Sequence, residues 1–271
     1  MKLDQKALSA LRIVSSLLAE DRHRFVLIGA TVPQLLLDLA EDRRPMSRPT
    51  RDIDATVEVA NWPDFERIVA RLREKGFQPS RTPHRLTFAG EVSLDLLPYG
   101  AGIIDDNQIP WRDTEKMMSA IGLEEAFQNA ASVKIAPGLS VLVATIPSLV
   151  LLKIAAYTDR PQERARDLVD MVYCFAHYDA EQNRRFELAG QLVDGAALTY
   201  EESGAYLLGR DVARVAKPVS LVRVKEFVGR FESEYSEPIG QLLREEKRLE
   251  APQRRTFLFR LFRVFRHAAI S

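Results

Sequence analysis

The chain has 271 residues, enough for one large domain or two modest ones with a real core. Lys plus Arg and Asp plus Glu both total 38, so the formal net charge is zero. That excludes a whole-molecule field that sweeps in nucleic acid and leaves room only for a local basic patch. A single cysteine, Cys174, excludes a disulfide framework and points to a reducing cytoplasm.

The opening segment, MKLDQKALSALRIVSSLLAEDR, carries Asp4 and Lys6 where a signal peptide needs an apolar run. Within it Leu8, Leu11, Val14, Leu17 and Leu18 repeat at helical spacing. RFVLIGAT reads as a buried strand that runs into a turn at Gly29. VPQLLLDLAED reads as a helix with Pro33 near its start, where a missing N–H costs nothing. RRPMSRP is a polar loop, and RPTRDIDATVEV is a strand. Its alternation puts Asp52, Asp54, Thr56 and Glu58 on one face, and Ile53, Ala55, Val57 and Val59 on the other. NWPDFERIVARLREKG is an amphipathic helix stopped by Gly76. RLTFAG and EVSLDLLPYG form two strands about a tight Ala-Gly turn, and ASVKIAPGLSVLVAT a hairpin about Pro137-Gly138.

From Ile146 the pattern changes. PSLVLLKIAAYTD, RARDLVDMVYCFAHY, EQNRRFELAGQLV, VSLVRVKEFVGRFESEY and EPIGQLLREEKRLE all favour helix. IPSLVLLKIAAY, the longest apolar stretch, is too short to span a bilayer and contains a lysine, so a soluble, cytoplasmic protein without a membrane partner is expected. The fold class is α+β: a mixed-sheet core over residues 1–145, then an all-helical domain over 146–271.

Three features of the first half bear chemistry. The strand-to-helix junction Gly29-Ala30-Thr31 presents backbone N–H groups and a helix N-terminus, which suits a phosphate. Asp52 and Asp54 share a strand face, and Asp95 interrupts the apolar run Leu94, Leu96, Leu97. Carboxylates gathered on one face repel unless a cation sits among them, and a hard divalent ion such as Mg²⁺ takes oxygen ligands and substrate phosphates. A solvated strand face explains Asp52 and Asp54 taken alone; an unpaired carboxylate inside an apolar strand is costlier to explain that way.

The order LIGAT … RPTRDIDATV … SLDLLPYG resembles the polymerase-β-type nucleotidyltransferase superfamily, in which a Gly-Gly or Gly-Ser turn precedes Asp-hydrophobic-Asp and a third acid follows on a later strand. RPTRDID and LVLLKIAAYTDRPQERARDLVDM are similar to its AbiEii-like branch, which includes the MenT-type toxins, over roughly residues 25–173. The resemblance implies Mg²⁺ (or Mn²⁺), an NTP substrate, metal ligation by Asp52, Asp54 and Asp95, and catalytic roles for Lys153 and Asp167. It further implies an RNA 3′ end, tRNA in particular, as acceptor, and an antitoxin as protein partner. The turn departs from the pattern, reading Gly29-Ala30, with Thr31 offered as the substitute hydroxyl. Twenty-one residues, 31–51, separate Ala30 from Asp52.

Several positions keep two readings. Lys153 sits in a helix apolar nearly all round, so either it snorkels to the surface or it meets a triphosphate or an active-site aspartate. Pro161 prevents Asp167 and Asp170 from sharing its helix, Asp159 is placed to cap the second helix with Gln162 three residues on, and spacing alone makes Asp167 a surface acid. Arg48, with Thr50 beside it, meets either a phosphate or a carboxylate. The tail RRTFLFRLFRVFRH, with five arginines and four phenylalanines, packs on the helical half, grips RNA or lies on a membrane. Cys174 is a packed thiol. Two rival functions stand beside RNA modification: transfer to a protein or small-molecule acceptor, and a non-catalytic nucleotide-binding module.

Overall fold

A computed structural model of the chain describes residues 4–37, 51–112, 116–179, 184–248 and 251–270, in two units, Met1–Thr145 and Ile146–Ser271. The first begins with helix α1 (Gln5–Glu20), whose start is capped by the Asp4 carboxylate accepting from the Lys6 N–H. Its Leu11, Val14, Leu17 and Leu18 are buried, at the spacing the sequence predicts. Strand β1 (Phe25–Ile28) is buried at all four residues, because it lies inside the sheet and is covered on both faces. Helix α2 (Thr31–Leu36) follows, then β2 (Asp52–Glu58), α3 (Trp62–Glu74), β3 (Phe77–Pro79), β4 (Arg85–Phe88) and β5 (Val92–Tyr99). Asn61 caps α3 by accepting from the Asp64 N–H, and the chain leaves it through Gly76 in the left-handed region.

Two three-residue strands, β6 (Gln108–Pro110) and β7 (Met117–Ser119), pair with each other. Helix α4 (Leu123–Gln128) and the hairpin β8 (Ala131–Ala136) and β9 (Leu139–Val143) complete the unit. Among the described residues seven strands form one mixed sheet in the order β3-β4-β5-β2-β1-β9-β8. The β5–β2 and β1–β9 pairs are parallel and the others antiparallel. The alternation expected of β2 holds: Ile53, Ala55 and Val57 are buried, Asp52 is exposed and Asp54 half-buried. Thr56, on the carboxylate side, is instead fully buried, with its hydroxyl donating to the Leu97 carbonyl (3.1 Å). On that same side α4 packs against the sheet, where Phe127 stacks on Tyr99.

The second unit opens with α5 (Ile146–Asp159) and α6 (Ala165–His177), then α7 (Arg184–Leu188), the hairpin β10 (Leu192–Val193) and β11 (Ala196–Ala197), and helices α8 (Tyr200–Val215), α9 (Pro218–Gly229), α10 (Glu237–Glu245) and α11 (Pro252–Ile270). Asp159 does not cap the second helix as expected. It ends α5 and pairs with Arg223 (3.2 Å), while Arg164 stands at the N-cap of α6 without a side-chain capping bond. The long helix read across EQNRRFELAGQLV is cut after Leu188, and the domain is not wholly helical. Asp194 and Gly195 both take positive φ and form the two-residue turn that Asp-Gly favours between paired strands. Helix α8, unannounced by the apolar pattern, carries a reciprocal Thr199–Glu202 capping box.

The tail forms α11 and packs on α8, with Leu258, Leu261, Phe262 and Phe265 buried. The contact is close: a Cβ on Gly209 would lie 2.6 Å from the Phe265 carbonyl oxygen. Arg254 pairs with Glu246, Arg260 with Glu202 (3.2 Å) and Arg263 with Asp194 (2.9 Å). The packing alternative among the tail's three readings is therefore the one observed.

Cys174 is fully buried in α6, and burial pushes its thiol up to about 12. An unfolded cysteine ionises near pH 8.5, so the folded chain holds a proton that the unfolded chain releases. Stability from this group is thus complete below about pH 8.5 and declines as the pH rises further. At pH 8 the native thiol is expected to resist a disulfide-exchange reagent for as long as the protein stays folded, and to react at once in denaturant. A fast-reacting native thiol would contradict the packing described.

Candidate active site

The sheet brings the sequence-predicted carboxylates together through register. In the parallel β2–β5 ladder Asp54 stands directly opposite Asp95, and Asp52, two residues earlier, shares their face. Across β1–β2, Ile28 pairs with Asp54, so the Gly29 turn begins beside that aspartate. Gly29 has φ +80°, and a Cβ added there would lie 2.6 Å from the Asp54 Cβ and closer still to its carboxylate oxygen. Only glycine permits this backbone and this approach together. Ala30 stands at the N-cap of α2 without a side-chain capping bond. The Thr31 hydroxyl does not take the outward place offered to it: Thr31 is 2% exposed and its Oγ1 is buried with no hydrogen-bond partner among the described residues. Arg48 and Thr50 lie outside the described residues.

One residue escaped the sequence reading. Arg85, first in β4, is paired in register with Asp95 and grips it with both arms of the guanidinium, Nε to Oδ1 and Nη2 to Oδ2, each at 2.7 Å. The hydrogen bonds to Asp95 raise the Arg85 pKa above its ordinary value against the burial that opposes it, and the charges of Asp95, Asp52 and Asp54 add to the rise. His84 Nε2 stands 3.9 Å from Asp95 Oδ2, its ring beside that of Trp111. Among the described residues no group of three or more His, Cys, Asp or Glu is disposed to hold a metal ion on its own. The signal for Arg85 lay in the hairpin: with Phe88 opposite Val92 across the Ala89-Gly90-Glu91 loop, counting back along both strands puts Arg85 opposite Asp95.

The second unit contains the other predicted group. Lys153 on α5 is buried, and its Nζ donates to Asp167 Oδ1 (3.0 Å) and Asp170 Oδ2 (2.5 Å) on α6. The partner a buried ammonium requires is thus supplied twice, by aspartates, and the lysine does not snorkel. Burial pulls the Lys153 pKa down, but the charges and hydrogen bonds of the two aspartates together push harder, and it stands above its ordinary value. Asp167 is no surface acid: its side chain is 13% exposed, and Arg164 approaches its other oxygen at 3.7 Å.

Two substitutions test this geometry. Lys153→Met leaves two carboxylates facing each other without their cation and is expected to cost about 3–5 kcal/mol in denaturant unfolding. Adding Asp167→Asn and Asp170→Asn to the same chain should recover part of that loss, by removing the repulsion. Gly29→Ala places a side chain in the left-handed region, a cost of about 1–3 kcal/mol, and drives the new methyl into Asp54. A Gly29→Ala chain that unfolds at the wild-type denaturant midpoint would refute the close approach.

Three solved structures have a similar course of chain. An antigenic nucleotidyltransferase-like protein from Paracoccidioides brasiliensis is 14% identical, with a TM-score of 0.38, over 64% of this chain and 78% of that one. JHP933 from Helicobacter pylori is 12% identical, with a TM-score of 0.37, over 99% and 94%. A second Helicobacter pylori structure gives 12%, 0.38, 98% and 96%. Scores this low assign nothing to this chain by themselves. No curated protein matches it. The family model described as "Nucleotidyl transferase AbiEii toxin, Type IV TA system" matches residues 12–260, nearly the whole length and both units. The chain belongs to the AbiEii family of nucleotidyltransferase toxins.

Proposed function

We propose that this nucleotidyltransferase uses Mg²⁺ and an NTP to add a nucleotidyl group to an RNA 3′ end, tRNA in particular. The observation that carries the reading is the paired register of Asp54 and Asp95, with Asp52 on their face and the Gly29 turn against Asp54. The donors are all oxygen, as a hard divalent ion requires, and Mg²⁺ is commonly held by one or two carboxylates with substrate phosphates completing its shell. Two aspartates on one strand fit that pattern without a third fixed ligand. In this reading Asp52 and Asp54 hold Mg²⁺, with Mn²⁺ as a substitute. When bound, the ion supplies Lewis-acid stabilisation of the charge that develops on the phosphoryl oxygens.

The chain's own residues do the rest. The N–H of Ala30, beyond the Gly29 turn, is the proposed donor to a phosphate. Asp95 accepts the proton of the acceptor hydroxyl as its oxygen bonds the α-phosphorus and the bond to the β-phosphate oxygen breaks, releasing pyrophosphate. Lys153 and Asp167 are proposed as catalytic residues too, on the strength of the resemblance. An antitoxin partner follows from the toxin–antitoxin family. Among the described residues no helix is long and apolar enough to cross a bilayer.

The test is a transfer assay with each labelled NTP, offered in turn to total RNA and to total protein. Label should move to RNA, and Asp52→Ala with Asp54→Ala should lower the rate by about 100-fold or more while the melting curve is kept as the folding control. Label on protein instead would retain the chemistry and overturn the RNA acceptor. Nucleotide bound without transfer to either would favour a small-molecule acceptor or a binding module.

A further inference from the structure

Arg85 is the feature that the proposed reaction leaves unused. Its guanidinium forms both hydrogen bonds of a fork with Asp95, so the carboxylate intended for a cation already has one. Arg85 is also not a core residue: its side chain is 43% exposed, and β4 stands one strand from the sheet edge. The fork is bidentate and Asp95 is largely buried, so the pair also supports the fold. Its place has electrostatic meaning as well. Asp54 and Asp95 are direct neighbours, Asp52 shares their face, and Arg85 continues the same row of paired residues on the next strand. Among these four groups there are three negative charges and one positive.

We propose that Arg85 is a counter-ion of the carboxylate face, a positioning residue that holds Asp95, opposes divalent metal at the neighbouring Asp52 and Asp54, and yields Asp95 only when nucleotide binds. This rests on the reading that Asp52 and Asp54 take a divalent ion. The opposition follows from charge, because a guanidinium bonded to both Asp95 oxygens repels a divalent ion on the neighbouring carboxylates. The exchange follows from shape, because the fork that fits a carboxylate also fits a phosphate, which an arriving NTP supplies. Metal alone therefore binds the face weakly, and nucleotide and metal bind together. His84, 3.9 Å from Asp95, belongs to the same surroundings but forms no fork.

The experiment titrates Mn²⁺ against the full chain without nucleotide, following the free-ion signal by electron paramagnetic resonance, for wild type, Arg85→Gln, Arg85→Lys and the Asp52→Asn, Asp54→Asn double variant. Arg85→Gln should bind Mn²⁺ about 10-fold or more tightly than wild type, within the range that groups behind a ligand exert on metal affinity. Arg85→Lys, which keeps the charge and loses the fork, should fall between them, and the double variant should not bind. A merely structural arginine predicts the reverse, with affinity unchanged or weakened. Thermal melting of each variant checks the fold, and Arg85→Lys keeps the comparison should Arg85→Gln melt early. Equal binding by wild type and both Arg85 variants overturns the role of Arg85 and leaves the metal reading standing. No binding by any chain at millimolar Mn²⁺ overturns both.

Discussion

Like charges on neighbouring strands are the constraint around which the first unit is arranged. Adjacent strands run about 5 Å apart, and two carboxylates at that distance repel by about 3 kcal/mol at the effective dielectric of a protein surface. The β2–β5 register imposes that contact on Asp54 and Asp95. Shifting the register by one residue would relieve it, but would also turn Ile53, Ala55 and Val57 out of the core. The apolar face therefore fixes the register, and the register fixes the repulsion. Arg85 answers it locally, through its fork to Asp95. The exposed Asp52 lies on the same face, where the function proposed puts a cation.

The second unit solves the inverse problem. There a single ammonium is buried in a helix apolar on nearly every side, and two aspartates from the next helix close on it. The turn between α5 and α6 that Pro161 enforces makes this possible, since one continuous helix would carry the aspartates away from Lys153 along its axis. The two clusters differ in how tightly each is held. Lys153 is enclosed and doubly paired, so removing it strands charge in the interior. Arg85 is half-exposed, so a phosphate can reach its guanidinium from solvent. An enclosed cation in one unit and a solvent-reachable one in the other follow from that difference in burial.

What could be read from the chain depended on how local the determining interaction was. The strand containing Asp52 and Asp54 was legible because its period of two runs over many residues. The helices α1, α3, α6 and α11 were legible for the corresponding reason, and α5 as a long apolar run. The β10–β11 hairpin was locally signalled by Asp194-Gly195, but the strands are only two residues long and an apolar count passes over them. Helix α8 was signalled by its capping box rather than by a strong apolar stripe, and β6 and β7 are too short to display any period. The pairing of Asp54 with Asp95 was beyond reach, because a parallel ladder between distant strands leaves no trace in either. Arg85 was within reach, since hairpin register follows from loop length once Ala89-Gly90 is taken as the turn.

The tail shows why composition is a poor guide to partners. Five arginines and four phenylalanines in fourteen residues have the make-up of a nucleic-acid or membrane arm. Helical geometry sorts them: Phe262 and Phe265 turn inward, and three of the five arginines, Arg260, Arg254 and Arg263, turn toward Glu202, Glu246 and Asp194. Each of those acids offsets positive charge that a phosphate backbone would otherwise meet, and the chain as a whole is neutral. Attraction to RNA by bulk charge is therefore small. An RNA acceptor, on the function proposed, would have to be selected by contacts near its reacting end, where binding energy acts on the transition state as well as on the encounter.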